Sequence, residues 1–558
     1  MSVLQFTPPG TQLPVALFET QTDVPSYQFG TLEISTPEKD ALPYTWDVKF
    51  DVDCSGSMSD PCMDGRTKMH HIKHVLTNIL RLFASYDNMT FNVSIDAFDD
   101  RISNIFDFVQ ITPANADEYI AKINGIHPRG QTNLVVPLQN TSKQMATRAS
   151  AFPQNKRLHF LLTDGNDTCG NSSKTIVNAA EPQYDTIVFG FGQDHDSKTL
   201  MAIGEKPFCE YAFIAELEKA GIVYGEYIHN VLYRCIEGMT ILLRDAEIYC
   251  WKTNSWSTAL TIGNLASDMK KTYYVRTTQP VGTVCGEIHG RECLLDDAAS
   301  EFKRLDDFDT MPHLICEETG EPDANEFKDH SLRLKTLELL YQIAHLEDDE
   351  IVIEEPRDIF PSNWITSKKS EKYNNQVKEL KEKILTLYRQ IRDYKVETYG
   401  ETENMFLAAL MDDLYIARRS FDHHNGRLYT MTRQRTQGTQ NVYTPCNIDD
   451  MLTSQLSPFP QFPQFPQSSQ VPQLSRTNTL YAAVGDQDPL AASMLPLPPA
   501  FALGLGNRFG ASVFTGDETD ILSHNISCGT QDDYASPRML DIIRSTSDNA
   551  GEDDDSMV

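Results

Sequence analysis

The sequence predicts an α/β protein with a parallel central sheet, accompanied by a flanking β-sandwich, a helical region and a disordered C-terminal tail. Three observations carry this expectation. Between Trp46 and residue 236, strand-like runs alternate with helical or loop segments long enough for a crossover, which implies parallel pairing. On either side of that stretch, short segments alternate apolar and polar residues with the period of a half-exposed strand. From about residue 324 the period becomes helical, and beyond Tyr443 none remains.

Taken in order, residues 1–45 carry short strand-like runs such as Ser26-Tyr-Gln-Phe-Gly-Thr-Leu-Glu-Ile-Ser35. Asp47-Val-Lys-Phe-Asp-Val-Asp53 opens the α/β unit as a strand, and after a loop Met69, Ile72, Leu76, Ile79 and Phe83 form a helical stripe. Further strands are expected at 90–98, 158–163 and 186–192, and a helix within 212–236 closes a unit placed at 46–236. Alternation returns over 239–276 through Ile241-Leu-Leu, Ala246-Glu-Ile-Tyr and Lys271-Thr-Tyr-Tyr-Val, so residues 237–300 are expected to complete a sandwich with the N-terminal strands.

Residues 301–425 form the expected helical region. Tyr373, Val377, Leu380, Ile384, Leu387, Ile391 and Tyr394 recur at spacings of four and three, a seam that buries on another helix. Gly400 suits the stop of this helix, and Thr402 the cap of the next, which carries Phe406, Leu410, Leu414 and Ala417. An antiparallel pair within the chain is the first reading; an intermolecular coiled coil, and with it self-association, is the alternative. Residues 426–558 read as a Pro-rich and acidic disordered tail. It includes Phe459-Pro-Gln-Phe-Pro-Gln-Phe-Pro466, an extended linker short of backbone donors, and Gly551-Glu-Asp-Asp-Asp-Ser556. Within it Met539-Leu-Asp-Ile-Ile543 is amphipathic; a hydrophobic cluster in a disordered tail is expected, folding on a partner the alternative.

Composition narrows the function. With 40% hydrophobic and 23% charged residues, the 558-residue chain has an ordinary globular balance and room for several folded units. Its net charge of −31 repels phosphate backbones and anionic lipid heads, so nucleic-acid and membrane partners are not expected. The start, MSVLQFTPPGTQLPVALFETQ, shows no basic segment followed by an apolar one, and no run approaches the ~18 apolar residues of a membrane span, which together suggest a soluble cytoplasmic protein. The 11 cysteines are odd in number and widely spread, unlike a secreted disulfide framework, and reduced thiols are expected.

The chemistry concentrates at the end of the first α/β strand. Asp53-Cys-Ser55-Gly-Ser57 puts a carboxylate and two hydroxyls on one side of a tight turn, at the edge where open α/β sheets keep their ligand sites. Oxygen donors suit hard divalent cations, and Mg²⁺ needs about six at ~2.1 Å, more than one loop supplies. Two further oxygens stand in suitable places: Thr132 in Gly130-Gln-Thr-Asn-Leu134, in a loop opening a helix, and Asp164 in Leu162-Thr-Asp-Gly165, ending another strand. Each piece alone also reads structurally, as a helix cap or an ordinary turn.

With these three pieces in order, residues 46–236 resemble the von Willebrand factor type A domain family. The segment Ile187-Val-Phe-Gly-Phe-Gly-Gln-Asp-His-Asp196 is similar to the family's later strand and loop, and Leu200-Met-Ala-Ile203 to the short helix after it. The resemblance implies a Rossmann-like sheet. It also implies a metal-ion-dependent adhesion site formed by Asp53, Ser55, Ser57, Thr132 and Asp164, holding one Mg²⁺ or Mn²⁺ with a coordination position left for an Asp or Glu of a partner protein. One departure is visible: Met-Ser-Asp-Pro-Cys-Met-Asp-Gly-Arg66 lengthens the loop after Ser57 and alters the rim of the site.

Other candidates are weaker. Four of Cys285, His289, Cys293, His313 and Cys316 could hold Zn²⁺ (Cys285, His289, Cys293 and Cys316 as the set), but the spacing matches no common finger and unconnected thiols are the plainer reading. His70 and His74 lie one helical turn apart and are read as solvated, and Cys54 is expected to point away from the ion. No phosphate-binding loop, HExxH or GxSxG signature is present, so no catalytic residue is assigned. The expected function is a non-enzymatic, metal-dependent protein-interaction scaffold. The alternatives are a structural or assembly protein that uses the domain as a rigid spacer, and a metal-dependent hydrolase, for which no general base is in evidence.

Overall fold

The computed structural model describes residues 4–6, 28–62, 64–180, 183–192, 195–278, 284–293, 303–310, 324–346, 350–355, 364–400, 404–421, 426–442 and 535–547. All of them lie in one compact unit that joins Met1–Asn447 to His524–Val558. The strands β1 (Leu4–Phe6) and β2 (Gln28–Ser35) precede an α/β unit. That unit runs β3 (Thr45–Asp53), α1 (Lys68–Ser85), β4 (Thr90–Phe98), β5 (Ile102–Gln110), α2 (Ala116–Asn124), α3 (Val135–Ala151), β6 (Lys156–Thr163), α4 (Ser173–Ala179), β7 (Asp185–Phe191), α5 (Ser197–Gly204), β8 (Cys209–Ile214) and α6 (Ala220–Leu232).

Its six-stranded sheet has the order β5-β4-β3-β6-β7-β8. Every pairing is parallel except β4 with β5, so the sheet is mixed rather than wholly parallel. The short Asp-Asp-Arg turn at 99–101 leaves no room for a crossover and forces the hairpin. The closing segment expected as helix from 212 is strand up to Ile214, because Tyr211, Ala212, Phe213 and Ile214 are buried as an edge strand beside β7.

β3 lies in the middle of this sheet and is buried on both faces. Trp46, Val48, Phe50 and Val52 face the apolar side, where they pack with the Met69, Ile72, Leu76, Ile79 and Phe83 stripe of α1 and with Tyr224, Tyr227 and Ile228 of α6. The alternate residues Asp47, Lys49, Asp51 and Asp53 are also fully buried. Arg148 of α3 grips Asp47 at 2.6 and 3.0 Å, Lys49 pairs with Asp96 at 2.6 Å, and Thr141 of α3 donates to Asp51 at 2.6 Å. His159 of β6 lies 3.0 Å from the same Asp51 oxygen, and Asn140 of α3 donates to Asp96 at 2.8 Å. Buried charges persist when they are paired and hydrogen-bonded, as Asp47 is with Arg148 and Lys49 with Asp96, whereas Asp51 is hydrogen-bonded through Oδ2 alone.

After α6 come β9 (Arg234–Leu243), β10 (Glu247–Cys250), β11 (Ser255–Ser257), β12 (Ala259–Ala266), β13 (Lys270–Thr277), β14 (Val284–Glu292) and β15 (Lys303–Thr310). One sheet has the order β1-β2-β13-β10-β11 and the other β12-β9-β14-β15. Leu32, Ile34, Ile248 and Val275 of the first share a core with Met239, Ile241, Leu260, Val284 and Ile288 of the second, which makes a sandwich. β15 pairs antiparallel with β14, so the sandwich reaches into what the helical period assigned to 301–425.

The helical region holds α7 (Ala324–Ala344), a hairpin of β16 (Glu350–Glu355) and β17 (Trp364–Lys369), α8 (Glu371–Tyr399) and α9 (Met405–Ser420). The α8 seam is buried at Leu380, Ile384, Leu387 and Ile391 and packs on α9 and α7 of the same chain. Gly400, with φ +64°, ends α8; Thr402 lies outside the described residues, and the side chain of Asn404 caps α9 by accepting from the Leu407 amide at 2.9 Å.

The expected disordered tail over 426–558 needs two corrections. Residues Gly426–Thr439 form α10, whose buried Thr430, Arg433, Gln434 and Gln437 give it a polar buried face that a hydrophobic pattern does not reveal. Residues Pro537–Ser547 form α11, and its Met539, Ile542 and Ile543 are buried in the cores of the sandwich and the α/β unit. The amphipathic segment therefore folds on its own chain. α6 admits it through Gly221 and Gly225, where an added Cβ would lie 2.5 Å from Thr546 O and 2.6 Å from Thr546 Oγ1. Thr546 Oγ1 donates to Gly221 O at 2.7 Å, and Asn78 of α1 donates to Thr546 O at 3.1 Å. The linker at 459–466 and the acidic end at 551–556 lie outside the described residues.

Candidate metal centre

Three loops meet at the C-terminal ends of β3 and β6. The first begins at Asp53, the last residue of β3. The Ser55 amide donates to Asp53 Oδ1 at 2.8 Å, which curls the loop back on the strand, and a 3-10 turn at Gly56–Ser59 follows. Ser55 Oγ lies 3.1 Å from Ser57 Oγ, and Ser57 Oγ donates to Asp164 Oδ1 at 2.8 Å. Thr163 Oγ1 donates to Asp53 Oδ2 at 2.6 Å, tying the end of β6 to the end of β3.

Thr132 joins from the loop that leads into α3 and is 3% exposed. Its amide donates to Thr168 Oγ1 at 2.9 Å and its carbonyl accepts from the Thr168 amide at 2.9 Å, which clamps the second loop to the third. A Cβ on Gly165 would lie 3.3 Å from Thr132 Oγ1 and 3.9 Å from Ser57 Oγ, so both hydroxyls border the Gly165 position. The structure thus brings together all five residues singled out in the sequence.

The electrostatics follow from burial. Asp53 and Asp164 are 0% and 1% exposed. Desolvation, and next the charge of Asp164, push Asp53 up to about 6, against the hydrogen bonds from Thr163 and Ser55 that hold it down. Lys68, the first residue of α1, places Nζ 2.7 Å from Asp164 Oδ2. The donor set is all oxygen, two carboxylates and three hydroxyls, the chemistry that hard divalent cations take, and Lys68 already serves Asp164 as a cation. The residues present therefore fit a divalent metal ion.

Several residues of the site left no mark in the sequence pattern. Besides Lys68 and Thr163, Asp99 supports the second loop: its Oδ2 accepts from Arg129 at 2.8 Å, its carbonyl from the Asn133 amide at 3.0 Å, and a Cβ on Gly130 (φ +64°) would strike it at 2.7 Å. Asp167 accepts from the Leu134 amide at 3.0 Å and the Asn171 amide at 3.0 Å, fixing the third loop. The long loop after Ser57 closes on itself through a Pro61–Thr67 bridge and a contact of His71 with Asp64 at 3.2 Å. Cys54 turns away from the hydroxyls, its Sγ 3.2 Å from Phe98 O, and burial pushes its thiol up to about 12.

The zinc candidate does not survive. Cys285 and His289 lie on β14 four residues apart, about 13 Å at strand rise, too far to share one tetrahedral ion. His289 instead lies 3.0 Å from Glu287, and His313 and Cys316 are outside the described residues. Among the described residues, no group of three or more His, Cys, Asp or Glu is placed to hold a metal. His70 is exposed, as expected, whereas His74 is half-buried with Asn78 at 3.2 Å.

The von Willebrand factor type A domain family matches residues 47–223, so the α/β unit of this chain is a von Willebrand factor type A domain. No curated protein matches it. Similar solved structures include a von Willebrand factor type A protein from Catenulispora acidiphila (13% identity, 80% of this chain and 97% of that one, TM-score 0.43). VWA2, the ArnB paralog of Sulfolobus acidocaldarius, matches at 11% identity over 79% of this chain and 99% of its own, with a TM-score of 0.39. Proximal thread matrix protein 1 from the mussel byssus, with a zinc-occupied MIDAS motif, matches at 18% identity over 32% of this chain and 44% of its own, with a TM-score of 0.25. Domains of this family are commonly protein-interaction modules rather than enzymes and often bind a divalent metal at the adhesion site. Among the described residues, no helix is long and apolar enough to cross a membrane.

Proposed function

We propose that the chain is a metal-dependent protein-interaction scaffold. In this reading Asp53, Ser55, Ser57, Thr132 and Asp164 hold one Mg²⁺ or Mn²⁺, and the ion takes an Asp or Glu of a partner protein as a further ligand. The observation that carries it is the run of hydrogen bonds that links Asp53 to the Ser55 amide, Ser55 Oγ to Ser57 Oγ and Ser57 Oγ to Asp164, none longer than 3.1 Å, with Thr132 beside it. When bound, the cation would supply a positive centre for a carboxylate. The chain's own residues hold that centre at the open edge of the sheet, and with only two anionic donors they leave a divalent ion an excess of positive charge. Binding rather than turnover is the activity proposed.

The test is a pulldown with the full chain, with and without chelator, alongside Asp53→Ala. Partner capture is expected to need Mg²⁺ or Mn²⁺ and to vanish in the variant while its circular dichroism is unchanged. Capture that persists in chelator and in the variant would refute the reading and leave the domain as a spacer.

A further inference from the structure

We propose that Lys68 is a tethered competitor for the metal ion, so that the cation is taken up only by drawing Asp164 away from the ammonium. This inference rests on the metal reading of the five oxygen donors and concerns how that site is regulated. Lys68 Nζ lies 2.7 Å from Asp164 Oδ2, while Asp164 Oδ1 accepts from Ser57 Oγ at 2.8 Å, so both oxygens of this buried carboxylate are engaged. The lysine side chain is 15% exposed and the carboxylate 0%, so the pair is shielded from solvent screening.

The placement of the lysine is unfavourable for its helix. It is the first residue of α1, next to the Thr67 cap, and the first turn of that helix contains no acidic residue. A cation there opposes the positive end of the helix dipole, so the helix gains nothing from it, whereas the 2.7 Å pairing with Asp164 favours it. A second carboxylate stands ready nearby: Asp60 Oδ2 is 3.7 Å from the same Nζ and its side chain is 61% exposed. Among the described residues Lys68 therefore has an anionic partner inside the site, Asp164, and another on its solvent side, Asp60. A divalent ion among the five donors would repel the ammonium and compete with it for Asp164, and a swing toward Asp60 relieves both.

The competition predicts an affinity change of unusual sign. Metal uptake by the full chain, stripped with chelator, is measured by calorimetric titration with Mg²⁺ alone and Mn²⁺ alone. Lys68→Met and Lys68→Gln, which remove the charge, are expected to bind the ion about tenfold tighter, and Lys68→Arg, which keeps it, to stay near wild type. Asp60→Asn, which removes the alternative partner, is expected to bind several-fold more weakly. If Lys68 merely props Asp164 in place, Lys68→Met binds the metal equally or more weakly, and the proposal is overturned. If the wild type binds, Asp53→Ala does not, and Lys68→Met matches wild type, only the competition fails. If neither wild type nor any variant takes up either ion, the metal reading fails and the competition with it.

Discussion

Gly225 offers a test of the tail helix in which the sign of the effect decides. Gly225 lies inside α6, where alanine is intrinsically favoured by ~1 kcal/mol, so Gly225→Ala should stabilise the chain if nothing rests on that face. In the structure, however, an added Cβ would lie 2.6 Å from Thr546 Oγ1 and 2.7 Å from Ile543 Cα. The second contact is backbone, so α11 must move outward by roughly 1 Å to reach ordinary contact distance. Overpacking of this kind costs ~1–3 kcal/mol, and the shift also stretches the 2.7 Å bond from Thr546 to Gly221 and the 3.1 Å bond from Asn78 to Thr546, each contributing ~1 kcal/mol. The expected net effect is a loss of about 1–3 kcal/mol, read as a lower urea midpoint with unchanged m-value. In a chain ending at residue 534 the obstacle is gone, and the same substitution should stabilise by about 0.5–1 kcal/mol. If Gly225→Ala stabilises the full chain, α11 does not occupy that face.

Three further substitutions probe the buried charges. Asp53 is raised to about 6 from an ordinary 3.8, so the folded chain binds its proton more tightly than the unfolded one; the stability this confers is complete below about pH 4 and lost as pH rises through 6. In chelator, Asp53→Asn should therefore gain up to about 3 kcal/mol over wild type at pH 7.5 and nothing at pH 4; an equal advantage at both pH values, by thermal unfolding, would contradict the assigned cause. Lys49 and Asp96 are both fully buried and 2.6 Å apart, so Lys49→Met should cost about 3–5 kcal/mol by urea titration. Adding Asp96→Asn should restore part of that loss, and a single-variant loss under about 1 kcal/mol would show that the pair is not desolvated.

The parts of the fold that were legible in the sequence are those with an apolar period. The α1 stripe and the α8 seam both emerge as buried faces, because one side of each helix meets a core. The polar side of β3 was not legible as buried: Asp47, Lys49, Asp51 and Asp53 alternate with apolar residues in the manner of a strand half in water. Partners such as Asp96, Thr141, Arg148 and His159 make the burial of Asp47, Lys49 and Asp51 tolerable, and these lie 47 to 108 residues away. α10 escaped for the same reason, its buried face being Arg, Gln and Thr. At the site, the Asp-Cys-Ser-Gly-Ser loop, Thr132 and Asp164 were readable from residue type at strand and helix ends. Lys68 was not, since a lysine at the start of a helix that follows a long loop carries no pattern of its own.

The polar ladder beneath α3 also bears on how the site keeps its geometry. Apolar packing is non-directional and tolerates some sliding of a helix over a sheet, whereas hydrogen bonds to fixed carboxylates do not. α3 is held to β3 and β4 through Arg148 on Asp47, Thr141 on Asp51 and Asn140 on Asp96, three directional contacts spread along the helix. α3 begins three residues after Thr132, so a helix fixed in register fixes the approach of the Thr132 loop to Ser57. Asp53 belongs to the same row as Asp47 and Asp51. The strand that supplies the first carboxylate of the site is thus the one whose preceding charges set where the second loop must lie. The burial of so many ionisable groups in one sheet face is then a means of holding separate loops in register, at a cost in desolvation that their hydrogen bonds and pairing offset.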